Sequence, residues 1–378
     1  MTDLRALRTG PLGRLFLVLL CTTTGCLEPA SERAERDREV GRADTASAAI
    51  EVDRGLATVQ TADDGTLDLW AQAPDFTVDF ETDEEAPTTW EITVQNAMPD
   101  AEFTATGEDN EQFDVVERRE RTPTTIAWTV ELPAGESTSL RIAPPDADKP
   151  EEFRFALLSD IQRDVGRVDD FWKRMNRDEE IRFVVSTGDL TQRGTLRELT
   201  RFRQTLRRLD VPFYTTIGNH ELGESADSGF HEFFGRVNFQ FYFKETVFTF
   251  LDSASATIDP TVYDWLERWI DRAGDDLHVF LTHVPPIDPI GTRNGSFRSR
   301  NEAQKLLNML TRGGVDLGLY GHLHSYYAES KADIPMFISG GGGAIPEHFD
   351  GIERHYLTID VLPGERIDQV GLVQIDDS

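Results

Sequence analysis

The spacing of apolar residues changes near Phe153, and this change constrains the fold more than any other feature of the chain. From about residue 50 to residue 145, apolar and polar residues alternate, as in Ile126, Trp128 and Val130. A period of two is typical of strands with one buried and one solvated face. After Phe153, short apolar runs alternate with amphipathic stretches, which indicates strands separated by helices. The sequence therefore predicts an all-β domain followed by an α/β domain.

The all-β domain is predicted to span residues 51–146. Its short strands, separated by turn residues, favour a sandwich of antiparallel sheets of the immunoglobulin-like or fibronectin-like class. The domain has no cysteine pair or ligand cluster, so a spacer or docking role is favoured over a catalytic one. Residues 51–151 carry 25 acidic and 6 basic side chains, in a chain with a formal net charge of −30. This negative charge argues against long nucleic acid as a partner.

The first residues of the chain resemble an export signal. Arg5, Arg8 and Arg14 precede the apolar run of residues 15–20, and small residues lead to Cys26. A positive segment, a short apolar segment and a small-residue end are the parts of a signal peptide, which we predict over residues 1–26. The apolar run is too short to span a bilayer. The alternative interpretation is the beginning of a buried helix.

Gly25-Cys26 is similar to the cleavage site of bacterial lipoproteins, although Thr23 stands where leucine is usual. The similarity implies that Cys26 becomes the lipidated first residue of an exported protein. Such a protein would be anchored to the bacterial cell envelope, either facing the periplasm or on the cell surface. Residues 27–50 contain few large apolar side chains and predict a flexible tether, with some helix as an option in Ser31–Val40.

In the second domain, predicted over residues 152–378, polar side chains follow the strands. Because ligands bind at the carboxyl ends of strands in such sheets, these groups are expected to converge. Carboxylate, amide and imidazole groups together suit divalent metals. The five blocks are Asp160-Ile161-Gln162, Gly188-Asp189, Gly218-Asn219-His220-Glu221, His283 and Gly321-His322-Leu323-His324.

In this order, the five blocks resemble the motifs of the calcineurin-like metallophosphoesterase family, which are D-x-H, G-D, G-N-H-[DE], H and G-H-x-H. The resemblance covers about residues 153–360. It implies a four-layer αββα sandwich, in which two mixed sheets are flanked by helices, with a site for two metals.

The resemblance also implies a role for each matching residue. Asp189 would bridge the two metals, and His220 would protonate the leaving group or stabilise the transition state. Glu221 would orient His220. The first metal would be held by Asp160, Gln162, Asp189 and His324, and the second by Asp189, Asn219, His283 and His322.

Gln162 is the departure from the family pattern, which usually has histidine at this position. A branch of the family that includes manganese-dependent ADP-ribose and CDP-alcohol pyrophosphatases carries D-x-Q, and Asp160-Ile161-Gln162 resembles it. An amide oxygen is a harder ligand than imidazole, so Mn²⁺ or Mg²⁺ is favoured over Zn²⁺. We therefore predict two divalent metals, with manganese first and iron, zinc or magnesium as alternatives.

These features together predict a metal-dependent hydrolase that uses a metal-bridging hydroxide on a small phosphomonoester, phosphodiester or pyrophosphate. Arg293, Arg298 and Arg300 follow the His283 block and are candidate phosphate contacts, although an ordinary surface role is at least as well supported for each. The alternative function is a catalytically degenerate, surface-anchored binding or scaffold protein, in which Gln162 marks the lost activity. A serine hydrolase is disfavoured, because the chain has no G-x-S-x-G motif.

Overall fold

The computed structural model describes residues 28–108, 111–223, 229–291, 295–347 and 352–375. The predicted signal peptide and Cys26 therefore lie outside the described residues. Four β-sheets form two pairs, one in each half of the chain. No helix within the described ranges is long and apolar enough to cross a membrane.

The first half begins with one helix and continues with eleven strands. The elements are α1 (Ala30–Asp37), β1 (Arg42–Asp44), β2 (Ala48–Val52), β3 (Ala57–Asp63), β4 (Thr66–Ala71), β5 (Phe76–Thr82), β6 (Thr89–Gln95), β7 (Glu102–Gly107), β8 (Gln112–Phe113), β9 (Val115–Thr122), β10 (Thr125–Glu131) and β11 (Ser137–Ala143).

These strands form two sheets, in the orders β1-β2-β5-β11-β7-β8 and β3-β4-β6-β10-β9. Aromatic side chains from both sheets meet between them, as where Phe80 and Trp90 make an edge contact at 5.2 Å. The expectation of purely antiparallel strands is wrong at one pair, because β4 runs parallel to β6. Assignment to the immunoglobulin-like or fibronectin-like class stays a prediction.

The tether predicted over residues 27–50 is wrong for its described part, which belongs to the fold. Residues 30–37 form α1, and β1 and β2 extend the first sheet before residue 51. Arg33 is buried and pairs with Asp252 at 2.7 Å. Asp37 accepts hydrogen bonds from the backbone N–H groups of Val237 and Asn238 at 2.8 and 3.1 Å. The low apolar content of residues 27–50 led to the wrong prediction of a tether, because buried polar contacts with distant residues order the described part of this segment.

The second half contains the remaining strands and helices. The elements are β12 (Phe153–Leu157), α2 (Asp169–Met175), β13 (Ile181–Ser186), α3 (Leu196–Leu206), β14 (Phe213–Thr215), α4 (Phe230–Phe234), β15 (Phe239–Phe243), β16 (Thr246–Leu251), α5 (Pro260–Ala273), β17 (Leu277–Thr282), α6 (Arg300–Arg312), β18 (Leu317–Tyr320), β19 (Tyr326–Lys331), β20 (Ile334–Ser339), β21 (His355–Leu362) and β22 (Arg366–Gln374).

The predicted four-layer α/β sandwich is confirmed. The two sheets have the orders β14-β13-β12-β21-β22 and β15-β16-β17-β18-β20-β19, and each mixes parallel and antiparallel pairs. Phenylalanines fill the space between them, with Phe155 and Phe248 in edge contact at 5.1 Å. Helices α2 and α3 cover the outer face of one sheet, and α5 and α6 cover the other.

The parallel strands bring the polar blocks to one edge of the sandwich. In the first sheet, β12, β13 and β14 run side by side in the same direction, and the segments after them carry Asp160, Asp189 and Asn219. In the second sheet, β17 and β18 are parallel and lead to His283 and His322. The topology therefore assembles, across two sheets, groups that are far apart in the sequence.

Candidate metal centre

The backbone at the candidate site is left-handed at four of the predicted metal ligands. The φ angles are 61° at Asp160, 48° at Gln162, 55° at Asp189 and 69° at His322. Residues other than glycine rarely adopt this conformation, which persists only where surrounding contacts enforce it. The sharp turns direct these side chains back towards the edge of the sheets.

Close backbone packing around these turns explains two of the motif glycines. A Cβ on Gly218 would lie 2.1 Å from Oδ1 of Asp189, and a Cβ on Gly321 would lie 2.5 Å from Oδ2 of Asp160. Both separations are well inside van der Waals contact. A side chain at either position would therefore displace the carboxylate of a candidate metal ligand.

Asp160 is fully buried and receives hydrogen bonds from its surroundings. The backbone N–H of His322 donates to its two carboxylate oxygens at 3.2 and 3.0 Å, and the hydroxyl of Ser159 donates at 2.9 Å. Burial raises the pKa of Asp160, against the opposing effect of His283, and the charge of Asp189 raises it further. Oxygens of the Asp160 and Asp189 carboxylates lie within 4.8 Å of each other, and two buried carboxylates at this separation favour a bound cation.

Asp189 lies at the centre of the site. Its Oδ1 accepts the backbone N–H of His220 at 2.8 Å, and its Oδ2 accepts from Nε2 of Gln162 at 3.1 Å. The same Oδ2 lies 3.4 Å from Nε2 of His283. Burial alone would raise the pKa of Asp189, but the charges of His283 and His220 hold it below its usual range. The carboxylate is therefore ionised.

On one side of Asp189, two imidazoles converge on one amide oxygen. Nε2 of His283 and Nδ1 of His322 lie 2.9 and 2.8 Å from Oδ1 of Asn219. The second ring nitrogen of His283 faces the carbonyl oxygen of Thr187 at 3.1 Å. Burial on its own would lower the pKa of His283, but the charges of Asp189, Asp160 and Glu221 raise it to about 9.

His324 and Gln162 lie on the other side of Asp189. Nε2 of His324 is 3.6 Å from Oδ1 of Asp160 and 3.0 Å from Nε2 of Gln162. Nδ1 of His324 faces the backbone carbonyl oxygen of Ile345 at 2.8 Å. A half-turn of the Gln162 amide would exchange its nitrogen and oxygen, and would present Oε1 to a metal.

The arrangement fits divalent metals. His283 and His324 each place one ring nitrogen against a backbone carbonyl oxygen, so that nitrogen carries a proton and the inner nitrogen is the one that could exchange its proton for a metal. These inner nitrogens lie near carboxylate and amide side chains, and a divalent metal bound in place of a proton would be shared by the imidazoles and the neighbouring oxygens. One ligand atom each from Asp160, Asp189 and His283 lie within 4.8 Å of one another. The seven predicted ligands thus form two groups that share Asp189.

His220 lies beside these groups, with its side chain 27% exposed and Nε2 3.9 Å from Oδ2 of Asp189. Its Nδ1 lies 2.7 Å from the carbonyl oxygen of Gln192. The prediction that Glu221 orients His220 is wrong, because the backbone of Gln192 does so. The contact between His220 and Gln192 was not predicted from the sequence. It uses a backbone carbonyl oxygen, which every residue type has.

Glu221 is fully buried and supports the ligand-bearing turns. Its Oε2 accepts the backbone N–H groups of Asp189 and Gly218 at 2.8 and 3.1 Å. Its Oε1 accepts the backbone N–H and the hydroxyl of Thr191 at 2.8 and 3.0 Å. Burial, followed by the charge of Asp189, raises the pKa of Glu221 to about 7. Glu221 thus connects the turns after β13 and β14.

Of the three predicted phosphate contacts, the two that the structure describes are not among the groups at the centre. Arg298 and Arg300 are exposed, and both line a cleft of about 570 Å³ beside α6. The same loop approaches the centre at Gly295, where an added Cβ would lie 3.6 Å from the His322 ring. Arg293 lies outside the described residues. A role for these arginines in substrate binding stays a prediction.

Comparisons with known proteins agree with this geometry. Residues 153–326 match the model of the calcineurin-like phosphoesterase family. A relative from Arcobacter nitrofigilis named "Probable glycerophosphodiester phosphodiesterase GpdQ" is 30% identical over 114 residues, which are 28% of this chain and 42% of that protein. The 3',5'-cyclic-nucleotide phosphodiesterase alr5338 of Nostoc is 24% identical over 228 residues, which are 56% of this chain and 82% of that protein.

A third relative and one solved structure extend the comparison. The 3',5'-cyclic adenosine monophosphate phosphodiesterase CpdA of Pseudomonas aeruginosa is 25% identical over 182 residues, which are 44% of this chain and 63% of that protein. The purple acid phosphatase PPD1 of yellow lupin (Lupinus luteus) is 14% identical, with a TM-score of 0.50 over 80% of this chain and 73% of that chain. At this identity the structural likeness concerns the fold alone.

The resemblance predicted from the five blocks is confirmed by the family model and by relatives named as phosphodiesterases. The structure brings together the candidate ligands that those blocks supply. Over residues 153–326, the second domain of this chain is therefore a calcineurin-like phosphoesterase domain.

Proposed function

We propose that this protein hydrolyses a small phosphodiester with the help of two divalent metals. The observation that carries the proposal is the pair of ligand groups that share Asp189, where Gln162 and His283 approach the same carboxylate oxygen from opposite groups. The names of the three relatives above favour a diester over the monoester and pyrophosphate alternatives. Bound divalent metals would lower the pKa of a shared water and stabilise negative charge on the phosphoryl oxygens.

The residues of the chain supply orientation and a proton. The Nδ1–H of His220 donates to the Gln192 carbonyl oxygen, so only Nε2 can exchange a proton with substrate. A protonated Nε2 would donate to the leaving alkoxide, and Asp189 at 3.9 Å would stabilise the charged ring. Glu221 holds the backbone of Asp189 and Gly218 in place without contacting substrate.

The donor set argues against a degenerate scaffold. Gln162 is buried among the other ligands instead of turned away from them, and its terminal amide contacts both Asp189 and His324. The candidate ligands include more carboxylate and amide oxygens than zinc sites usually contain. This ligand set favours manganese, with magnesium, iron or zinc as alternatives.

The experiment is metal-dependent hydrolysis of bis-p-nitrophenyl phosphate by purified protein after chelation and reconstitution with each metal in turn. We expect activity to return with Mn²⁺, and we expect Asp189→Ala to abolish it, because that variant removes a ligand from both groups. Asp368→Ala, a change at an exposed carboxylate on β22, is the matched control. Metal-independent hydrolysis, or full activity in Asp189→Ala, would overturn the proposal.

We further propose that the protein is exported and anchored at the bacterial cell envelope through a lipid on Cys26. The arginine-rich beginning, the short apolar run and Gly25-Cys26 support this proposal. Glu28, two residues later, is buried, and its carbonyl oxygen accepts a hydrogen bond from Arg33. The anchor would therefore hold the catalytic domain close to the membrane. Cys26→Ser should move the protein from the membrane fraction to the soluble fraction, and unchanged partitioning would contradict the anchor.

A further inference from the structure

A second cleft lies between the two domains and contains none of the candidate metal ligands. Its volume is about 300 Å³, at the lower end of the range for small-molecule pockets. Trp70 on β4 and Thr125 on β10 contribute from the first domain, and Arg203 on α3 contributes from the second. The domains are joined beside it, because Asn96 exchanges hydrogen bonds with the backbone of Phe213 at 2.8 and 2.9 Å.

Arg203, which is half-buried in this cleft, differs in its partners from three other arginines that are at least partly buried. Its guanidinium lies over the ring of Trp70, 4.2 Å from the centroid. Arg33, Arg154 and Arg182 all pair with aspartates. Arg203 instead donates to neutral oxygens, and no carboxylate pairs with it in the part of the chain that the structure describes.

The hydrogen bonds of Arg203 leave donors available. Nη1 donates to the side-chain oxygen of Gln60 at 2.5 Å and to the carbonyl oxygen of Phe233 at 3.5 Å, and Nη2 donates to Gln95 at 3.2 Å. A guanidinium has five N–H donors. Nε–H and one N–H of Nη2 remain on adjacent nitrogens, which is the arrangement that binds an oxyanion through two parallel hydrogen bonds.

A second cation faces the same space. Arg207 follows α3 by one residue, is exposed and lines the cleft together with Arg203. Burial, with a further effect from the charge of Arg207, lowers the pKa of Arg203 to about 10. No aspartate or glutamate is among the described residues that line the cleft, although the chain carries 68 acidic side chains.

A purely structural role explains only part of this arrangement. An interdomain strut accounts for the stacking on Trp70 and for the bonds to Gln60 and Gln95. It does not account for a partly desolvated charge without a counter-ion, or for the second arginine beside it. A bound anion would compensate both charges, and the hydroxyls of Thr124 and Thr125 on the first-domain wall can donate to its other oxygens.

We propose that the cleft between the domains binds a small phosphate-type oxyanion through Arg203 and Arg207. The ligand meets the guanidinium edge of Arg203 and the side chain of Arg207 on one side, and the threonine hydroxyls on the other. Its binding joins the β-sandwich to α3 and gives the first domain a ligand-binding role. The inference does not depend on the hydrolytic activity, because no candidate metal ligand lines the cleft.

Trp70 provides a local readout. Full-length, metal-loaded protein is titrated with inorganic phosphate at constant ionic strength while tryptophan fluorescence is recorded. The same titration of Trp70→Phe is subtracted, which removes signals from phosphate at the metal centre. We expect a saturable change that depends on Trp70. Arg207→Gln should raise the midpoint by about tenfold or more, because charge-assisted hydrogen bonds are lost.

Two further variants make the experiment decisive. Arg203→Lys keeps the charge but loses the paired donors, so it should also raise the midpoint. Arg366→Gln is the matched control, because Arg366 is exposed on β22 and forms ion pairs with its neighbours Glu365 and Asp368. The proposal is overturned if wild-type protein shows no saturable change, if chloride reproduces it, or if neither Arg203→Lys nor Arg207→Gln shifts the midpoint.

Discussion

Glu221 accepts the backbone N–H of Asp189 at 2.8 Å, so a fully buried carboxylate holds the residue that joins the two candidate metal sites. The same carboxylate accepts the backbone N–H of Gly218, which precedes the amide ligand Asn219. Glu221 has no exposed surface through which it could contact a substrate. Its function is to hold two turns from neighbouring strands at the separation that the ligands require.

Glu221→Gln should therefore weaken metal binding. The glutamine side chain would place its amide N–H group against backbone N–H groups that the carboxylate of Glu221 accepts. Two donors cannot pair, so the turns after β13 and β14 would loosen. We expect metal affinity to fall by about tenfold to hundredfold, as for other residues that support ligands. Competition with a chelator of known affinity measures this. Glu365→Gln, at an exposed position, is the control, and equal affinity in the two variants would contradict the role.

Gln162→His restores the residue usual for the family. Imidazole is a softer ligand than an amide oxygen, so the variant should retain more zinc and lose part of its preference for manganese. Metal content after purification, together with activity in Mn²⁺ against Zn²⁺, measures the change. Gln369→His, on the exposed face of β22, controls for an added surface histidine. An unchanged metal preference would show that position 162 does not contact the first metal.

His220→Ala should leave metal content unchanged and slow turnover by about a hundredfold to ten-thousandfold, the usual contribution of a general acid. Gln192→Ala keeps the carbonyl oxygen that accepts from His220, so it should retain most of the activity. Comparing kcat and bound metal in the two variants separates a proton donor from a ligand. Loss of metal in His220→Ala would show that the role assigned to His220 is wrong.

His278 predicts a pH dependence of stability. Its ring is buried on β17, and burial lowers the pKa of His278 to about 4 from an ordinary 6.5. The unfolded chain therefore takes up a proton before the folded chain does. The stabilisation is complete above about pH 6.5 and is lost as pH falls towards 4, by at most about 3 kcal/mol.

Urea denaturation of wild-type protein and His278→Gln across this pH range tests the dependence. The variant lacks the titrating ring, so its free energy of unfolding should fall less steeply between pH 6.5 and 4. Other titrating groups contribute equally to both proteins. Identical slopes would mean that His278 is protonated in the folded state as readily as in the unfolded chain.

Arg33→Met tests the docking of α1. The change leaves the buried carboxylate of Asp252 without its partner, which should cost about 3–5 kcal/mol in the free energy of unfolding. Arg42→Met breaks the exposed pair with Glu51 and should lower the free energy of unfolding far less, because water screens an exposed ion pair. Equal losses in both variants, measured by chemical denaturation, would argue that α1 does not contribute to the fold.

The candidate ligands were predictable from the sequence because each one follows a strand. Asp160, Asp189 and Asn219 follow three parallel, neighbouring strands of one sheet. The alternation of strands and helices in the sequence already indicates such an arrangement. The support of Asp189 by Glu221 and of His220 by Gln192 was not predictable, because both use main-chain atoms brought together by tertiary folding.

The sequence by itself determined the order of the all-β and α/β parts and the residue types that can hold metals, since periodicity and motif spacing are local properties of the chain. The four-layer sandwich was implied by the resemblance of the five blocks to the family. Only the tertiary structure decided that residues 30–52 belong to the fold and that Arg203 meets Trp70 across the domain boundary. These features depend on contacts such as Arg33 with Asp252, whose members are 219 residues apart. No local pattern encodes such a pairing, because its energy comes from burial that exists only after the domains have packed.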